Sequence, residues 1–220
     1  MKAARPFARR RLIGAGLGLT AALSVGAKAK AARLIVTPRQ SLGPFYPVEI
    51  PLDSNNDLAR VDGRPAPAAG RIAHVFGQVT DRNAVPLRDL RVEIWQCDAA
   101  GYYHHPRDRG GRADPNFQGY GRTVTDGDGG YRFRTIEPVP YPGRTPHIHF
   151  AISGPGIEPL ITQMYLRDHP MNAGDGLFNR VRDPRARESL TVAFAPAPEI
   201  EPDALAGSFN IVIGATAAVE

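Results

Sequence analysis

The most restrictive feature of the sequence is a series of seven short runs of apolar and β-branched residues, each bounded by residues that favour turns. Gly and Pro make up one fifth of the 220 residues and are spread along the chain. Such short runs are typical of β-strands and leave little room for long helices. The runs are Ile72–Thr80, Leu90–Trp95, Tyr131–Thr135, His147–Ser153, Leu160–Leu166, Leu190–Phe194 and Ser208–Ile213. The sequence therefore predicts an all-β fold, an antiparallel β-sandwich with long loops.

The residues before these runs have a different character. From Ala32 to Gly70 the chain is rich in Pro, Asp and Asn and shows little hydrophobic periodicity, as in Pro51–Asp57. A chain of this length has room for one domain of ordinary size. We therefore expect an extended N-terminal arm at residues 32–70, followed by a single domain at residues 71–220.

Residues 1–31 have the composition of a signal peptide. Three arginines, Arg9 to Arg11, precede the uncharged stretch Leu12–Gly26, and small residues follow it. This stretch has 15 residues, several of them Gly, and is shorter than the roughly 20 apolar residues of a membrane span. We therefore expect no stable membrane anchor. Paired arginines followed by two apolar residues resemble a twin-arginine signal, which predicts export of the folded chain to the periplasm or out of the cell.

The net charge of +5 comes from this leader. Residues 1–31 contain seven basic residues and no acidic ones, so the rest of the chain has 20 basic and 22 acidic residues. That remainder lacks the excess of positive charge that nucleic-acid binding requires. The single cysteine, Cys97, excludes a disulfide bond within the chain.

The clearest alternation in the sequence places two histidines on one face of a predicted strand. Within His147–Ser153, His147 and His149 share one face and apolar residues occupy the other. Two imidazoles at this spacing can bind a metal ion, although two ligands alone leave the metal and its role open. Tyr141 lies just before this strand, and Tyr103 follows the predicted strand that ends at Trp95, so phenols are also available.

Four parts of the sequence together resemble the intradiol ring-cleavage dioxygenases, most closely the metal-bearing beta chain type of the protocatechuate 3,4-dioxygenase branch. They occur in family order, and the resemblance spans Leu42 to Ile213. They are Leu42–Pro47, Val92–Cys97 with Gly101–His105, Thr125–Arg134, and Pro140–His149. The resemblance implies an immunoglobulin/transthyretin-like β-sandwich as the catalytic domain.

The same resemblance implies a ligand set and two further site residues. In the family, two tyrosines and two histidines bind one iron(III) ion, Fe(3+). The matching positions are Tyr103, Tyr141, His147 and His149. Tyr102 is the rival of Tyr103, and the spacing of eight residues from Trp95 favours Tyr103. Arg144 matches the active-site arginine of the family, and Gln163 matches a glutamine that lines the pocket.

The resemblance also implies a reaction. A catechol binds the iron through both of its oxygens, and Tyr141 accepts one of its protons. O2 then cleaves the ring between the hydroxyl-bearing carbons, which gives a cis,cis-muconate-type diacid in aromatic catabolism. Arg144 stabilises negative charge that develops on the ring. The loop from Tyr141 to His147 is shorter than in the best-known protocatechuate enzymes, and in the family this loop helps to shape the substrate pocket. The expected substrate is therefore a class, protocatechuate or a related catechol. The protein is expected to form a homo-oligomer or to pair with a metal-free partner chain.

A different class of protein also fits part of the sequence. Gly77–Leu87 and the later segments Thr125–Asp126 and Gly130–Phe133 resemble small transthyretin-like sandwich modules that bind or brace without catalysis. Such modules have no reason to contain the tyrosines, histidines and arginine named above. Bound iron would distinguish the two classes, whereas zinc or copper bound by the histidines alone would leave the phenols without a role.

Overall fold

The structure is a computed structural model, and it describes residues 33–108 and 113–214. The predicted signal peptide at residues 1–31 lies outside the described residues and stays a prediction. Within the described residues, no helix has both the length and the apolar character needed to cross a membrane.

The described residues form ten strands and three short helices. The strands are β1 Ile72–Asp81, β2 Arg91–Trp95, β3 Tyr120–Val124, β4 Gly130–Ile136, β5 His147–Ser153, β6 Leu160–Leu166, β7 Thr191–Val192, β8 Ala195–Pro196, β9 Leu205–Ser208 and β10 Ile211–Ile213. The helices are a 3₁₀ helix at Pro170–Gly174, α1 at Gly176–Asn179 and α2 at Pro184–Glu188. All three helices lie between β6 and β7, so the predominance of strands agrees with the predicted all-β class.

The strands form two five-stranded sheets. In the first sheet, β1 pairs with β4 on one side and with β9 and β10 on the other, and β8 extends the sheet beyond β9. The second sheet has the order β3-β2-β5-β6-β7. The predicted β-sandwich is confirmed, but the sheets are mixed rather than antiparallel throughout. The pairs β1–β9, β1–β10 and β6–β7 are parallel. Parallel neighbours need a long crossover, and the helical segment between β6 and β7 supplies one of them.

The core lies between the two sheets. Val75 and Phe133 from the first sheet and Ile148 and Phe150 from the second are fully buried. Phe150 contacts Phe209 across the core, with 4.9 Å between the ring centroids. Each such side chain contributes about 1.5–3 kcal/mol by leaving water. Because the apolar residues of β5 face this core, the histidines of the same strand point away from it.

The arm at residues 33–70 contains no described helix or strand, and its first part runs along β6 of the second sheet. The N–H of Gln40 donates to the carbonyl of Ile161 at 2.8 Å. The hydroxyl of Thr162 donates to the carbonyl of Pro38 at 2.7 Å. Farther along, Phe45 and Tyr46 pack against a small buried aromatic cluster. The arm therefore covers the face of the sheet that carries the two histidines.

Several strand limits differ from the sequence prediction. β3 was not predicted, because Tyr120–Val124 contains Gly and Arg and has no clear apolar period. The predicted run at 190–194 pairs only at Thr191–Val192. The predicted run at 208–213 is divided, because Asn210 turns its side-chain oxygen to the N–H of Gln78 and interrupts the ladder.

Candidate active site

The two histidines of β5 present their ring nitrogens to each other in a buried space. His147 and His149 are each 1% exposed. The Nδ1–H of His147 donates to the carbonyl of Thr145 at 2.7 Å, so its Nε2 carries a lone pair. That Nε2 lies 3.2 Å from Nε2 of His149. Two imidazoles bound to one ion at about 2.1 Å place their nitrogens about 3.0–3.4 Å apart, so the spacing fits a shared metal ion.

Two neighbours hold His149 in this orientation. The ring of Trp95, which is opposite His149 in the β2–β5 ladder, stacks on the imidazole with 4.7 Å between centroids and an 8° tilt. From the arm, Gly43 approaches the imidazole edge so closely that a Cβ at this position would lie 3.1 Å from Cε1 of His149. Gly43 also has a φ of +73°, which favours glycine. The Nδ1 of His149 has no hydrogen-bond partner.

The two predicted tyrosine ligands surround the same space. The ring of Tyr103 lies 5.6 Å from that of Tyr141 and 6.4 Å from that of His149, centroid to centroid. The ring of Tyr141 lies 5.4 Å from that of His147. Tyr103 is 4% exposed, its hydroxyl has no hydrogen-bond partner, and Phe45 of the arm stacks on its ring at 4.7 Å. The structure thus brings all four predicted ligands together.

The protonation of these groups agrees with metal binding. Burial lowers the pKa of His147 to about 3. Burial also lowers the pKa of His149 well below its usual value, and the neighbouring His147 adds to this shift. Both imidazoles are therefore neutral at pH 7. Burial and the adjacent Tyr141 raise the pKa of Tyr103. Burial also raises the pKa of Tyr141, although the Arg144 guanidinium opposes this. Both phenols therefore stay protonated unless a strong cation draws off their protons.

The donor set fits a hard trivalent cation. Two neutral nitrogens face each other, and two phenol rings, one of them with a buried hydroxyl without a partner, lie beside them. Within residues 33–108 and 113–214, no three His, Cys, Asp or Glu side chains are grouped closely enough to bind an ion. Among the described residues, no carboxylate therefore joins the two imidazoles as an oxygen donor, whereas the phenols of Tyr103 and Tyr141 adjoin them. Phenolate is a hard ligand, which favours iron(III) over zinc or copper.

Arg144 and Gln163 lie at the edge of this group. Nη1 of Arg144 is 3.4 Å from the hydroxyl of Tyr141, and Nη2 donates to Oε1 of Gln163 at 2.5 Å. Gln163 is opposite His149 in the β5–β6 ladder, which explains its position. Its side-chain N–H donates to the carbonyl of Ser41 at 3.1 Å, which ties it to the arm. Both predicted residues thus adjoin the four predicted ligands.

Other residues of the site were not predicted. Tyr165 donates to Oε1 of Gln163 at 3.0 Å, and strand alternation from Gln163 could have indicated it. Asp175 accepts a hydrogen bond from Nε of Arg144 at 2.8 Å, and no local pattern indicates this contact across 31 residues. The contact of Gly43 with His149 was equally hidden, because a glycine in a loop has many possible roles.

Known proteins match this chain over most of its length. The family model described as "Dioxygenase" matches residues 42–215. The protocatechuate 3,4-dioxygenase beta chain of Burkholderia cepacia is 38% identical over 186 residues, which is 80% of this chain and 78% of that one. The catechol 1,2-dioxygenase of Candida albicans is 32% identical over 155 residues, which is 62% of this chain and 49% of that one.

A solved structure agrees with the sequence matches. The dioxygenase domain of a dioxygenase carbohydrate-binding protein fusion from Streptomyces sp. SirexAA-E superposes with a TM-score of 0.65 at 30% identity. The match covers 83% of this chain and 100% of that domain. The non-catalytic sandwich module considered from the sequence does not account for a family match over residues 42–215. The chain belongs to the intradiol ring-cleavage dioxygenase family.

Proposed function

We propose that the protein uses iron(III), bound by Tyr103, Tyr141, His147 and His149, to cleave a catechol-type aromatic with O2. Cleavage falls between the two hydroxyl-bearing carbons and gives a cis,cis-muconate-type diacid. The observation that carries this proposal is the pair of neutral imidazole nitrogens 3.2 Å apart with two phenols beside them.

The environment of the phenols supports a trivalent ion. Burial raises the pKa of Tyr103, so a weakly charged ion would leave its proton in place. Iron(III), when bound, supplies the positive charge that ionises both phenols and makes a bound catechol reactive toward O2. Two phenolates then offset two of its three charges, while the neutral imidazoles of His147 and His149 add none.

Tyr141 and Tyr103 have different roles in this proposal because their surroundings differ. Tyr103 is buried and held beneath the ring of Phe45. Tyr141 is only partly buried, and its hydroxyl lies 3.4 Å from Nη1 of Arg144. If iron is bound, Tyr141 at the rim would be the ligand placed to accept a proton from an incoming catechol with little rearrangement. We therefore assign the proton-accepting role to Tyr141 and a fixed ligand role to Tyr103.

Arg144 acts on the charge of the substrate. Its guanidinium is mostly buried, and at 3.4 Å from the hydroxyl of Tyr141 it adjoins the position that a catechol oxygen would take. A fixed cation there stabilises negative charge on the ring, an effect that is often worth a few kcal/mol when water is excluded. Gln163 accepts a hydrogen bond from the same guanidinium and lines the space where the ring would lie.

The substrate is proposed at the level of its class, protocatechuate or a related catechol. The similar proteins include enzymes named for protocatechuate and for catechol.

We further propose that the chain forms a homo-oligomer or pairs with a metal-free chain, since one relative is a beta chain. Export to the periplasm or the medium remains our proposal from the leader sequence. Light scattering and cell fractionation test these two points.

A visible spectrum with an iron assay tests the proposed function. We expect a red-brown protein, from charge transfer between tyrosinate and iron(III), that consumes O2 with catechols and forms muconate-type products. Tyr103→Phe should lose most of the colour at equal protein concentration. Tyr102→Phe is the matched control, because this neighbouring tyrosine is only partly buried, and it should keep the colour.

Two outcomes contradict the proposal. A colourless wild-type protein with a full complement of iron rules out the pair of phenolate ligands. Yellow semialdehyde products show cleavage outside the diol and rule out the reaction class.

A further inference from the structure

One buried carboxylate next to the site has more hydrogen bonds than its place in the fold requires. The side chain of Asp175 is 0% exposed and lies just before α1. Its Oδ1 accepts from the N–H groups of Leu177 and Phe178 at 2.9 and 3.0 Å. Its Oδ2 accepts from Nε of Arg144 at 2.8 Å and from the N–H of Thr145 at 3.1 Å. All four donors come from two segments that are far apart in sequence.

Helix capping explains only half of these contacts. Asp183 caps α2 in the same way, since its Oδ1 accepts from the N–H groups of Arg185 and Ala186. Asp183 is exposed. One side-chain oxygen suffices for a cap, and Ser or Asn caps a helix about as well as Asp. The second oxygen of Asp175, together with its burial, therefore needs another explanation.

The contacts of Arg144 supply that explanation. Its Nε donates to Asp175, its Nη2 donates to Gln163 at 2.5 Å, and its Nη1 faces the hydroxyl of Tyr141 at 3.4 Å. Three nitrogens of one planar group thus have three different neighbours, which fixes the plane of the guanidinium. Without the hydrogen bond from Nε to Asp175, the guanidinium could rotate about the side-chain bonds of Arg144, and Nη1 would lose its contact with the hydroxyl of Tyr141.

We propose that Asp175 is a positioning residue that holds the guanidinium of Arg144 in the orientation used on the substrate. The proposal rests on the function proposed above. It also explains why an acid occupies this site. Arg144 lies beside the predicted site of a trivalent cation, and a buried carboxylate offsets the repulsion between the two positive groups.

The ionisation of Asp175 agrees with this role. Burial alone would raise the pKa of its carboxyl group. Hydrogen bonds from the N–H of Phe178 and from Arg144 outweigh burial and leave the pKa below its usual value, so the group is charged at neutral pH. The charge therefore persists over the range in which activity would be measured.

A double-mutant cycle on the iron-loaded enzyme tests whether Asp175 acts through Arg144. Asp175→Asn and Asp175→Ser keep a capping oxygen for α1 but remove the charge, and two variants guard against a failure to fold. We expect either one to lower kcat/KM about 10- to 100-fold, the scale of a misplaced catalytic group. In an Arg144→Gln background the same changes should have less than about a twofold further effect. Asp183→Asn is the control and should stay within about twofold of wild type.

Independent effects would overturn the proposal. If the losses from Asp175→Asn and Arg144→Gln multiply, Asp175 acts on the fold or on another group. If Asp175→Asn keeps full activity, Arg144 needs no such support.

A second readout separates this proposal from the proposed function, because it needs no turnover. In the full-length protein with any iron replaced by diamagnetic gallium(III), the Nε–H of Arg144 should give an NMR signal that exchanges slowly with water and is missing in Arg144→Gln. Asp175→Asn should shift this signal and speed its exchange, and Asp183→Asn should not. A signal unchanged in Asp175→Asn refutes the proposed contact, whereas a wild-type protein that cleaves no catechol refutes only the proposed function.

Discussion

A single methyl group added to the arm should damage the metal centre. Gly43 has a φ of +73°, and a Cβ at this position would meet Cε1 of His149 at 3.1 Å. The imidazole cannot move away freely, because Trp95 stacks on one face. Gly43→Ala should therefore displace His149, or the arm, by a few tenths of an ångström.

The size of the effect has two parts that can be separated. A left-handed backbone conformation at a residue with a Cβ lowers the free energy of unfolding by about 1–2 kcal/mol. Alanine also reduces the conformational entropy of the unfolded chain, which raises the free energy of unfolding by about 0.4–1 kcal/mol. The net loss of about 1 kcal/mol should lower the melting temperature by about 2–4 °C for a domain of this size. The displaced ligand adds a loss of about 10- to 100-fold in iron affinity, as is typical when the support of a metal ligand is disturbed.

Gly63→Ala provides the matched control. Gly63 lies in the same arm with a φ of +79°, but no atom lies within 4 Å of a Cβ at that position. In calorimetry of the iron-free proteins, both variants should show the backbone cost of about 1 kcal/mol, and any larger loss in Gly43→Ala comes from its contact with His149. Only Gly43→Ala should lose iron in a competition with a chelator. Equal iron affinity in the two variants would show that the arm does not pack on His149, and the reasoning about the site would be wrong.

Two further predictions concern the stability of the domain. Phe150→Ala should lower the free energy of unfolding by about 3–5 kcal/mol in urea titrations, because Phe150 is fully buried between the sheets. Phe76→Ala should lower this free energy much less, because the side chain of Phe76 is 39% exposed. Equal costs for the two would contradict the packing of the core. Hydrogen bonds from Arg134 lower the pKa of Glu201, so this carboxylate stabilises the folded state above its unfolded pKa of about 4.5 and less as the pH falls below it. At pH 6 the free energy of unfolding of Glu201→Gln should therefore be lower than that of wild type. Between pH 6 and pH 3 this free energy should fall less in Glu201→Gln than in wild type, and parallel pH profiles for the two proteins would refute this role.

Local patterns predicted the central strands well. β5 and β6 have the predicted limits, because alternation in one and a bounded apolar run in the other reflect neighbours on a buried sheet. Short segments such as β3 and β8 carry too few apolar residues for any period to appear. Their pairing depends on neighbours that are distant in sequence, and so does the parallel direction of β9 and β10 beside β1.

The site divides in the same way. The face shared by His147 and His149 follows from the two-residue period of a strand, and the resemblance to the family indicated Tyr103 and Tyr141 as further ligands. Asp175 and Gly43 reach the site only because the segment before α1 and the N-terminal arm fold back onto the second sheet. The sequence by itself therefore determined the strand-rich class and the chemical types of the predicted ligands, since both depend on local periodicity and motifs. Only the tertiary structure decided which distant groups orient those ligands and the arginine, because hydrogen bonds and close contacts depend on distances that the order of residues does not contain.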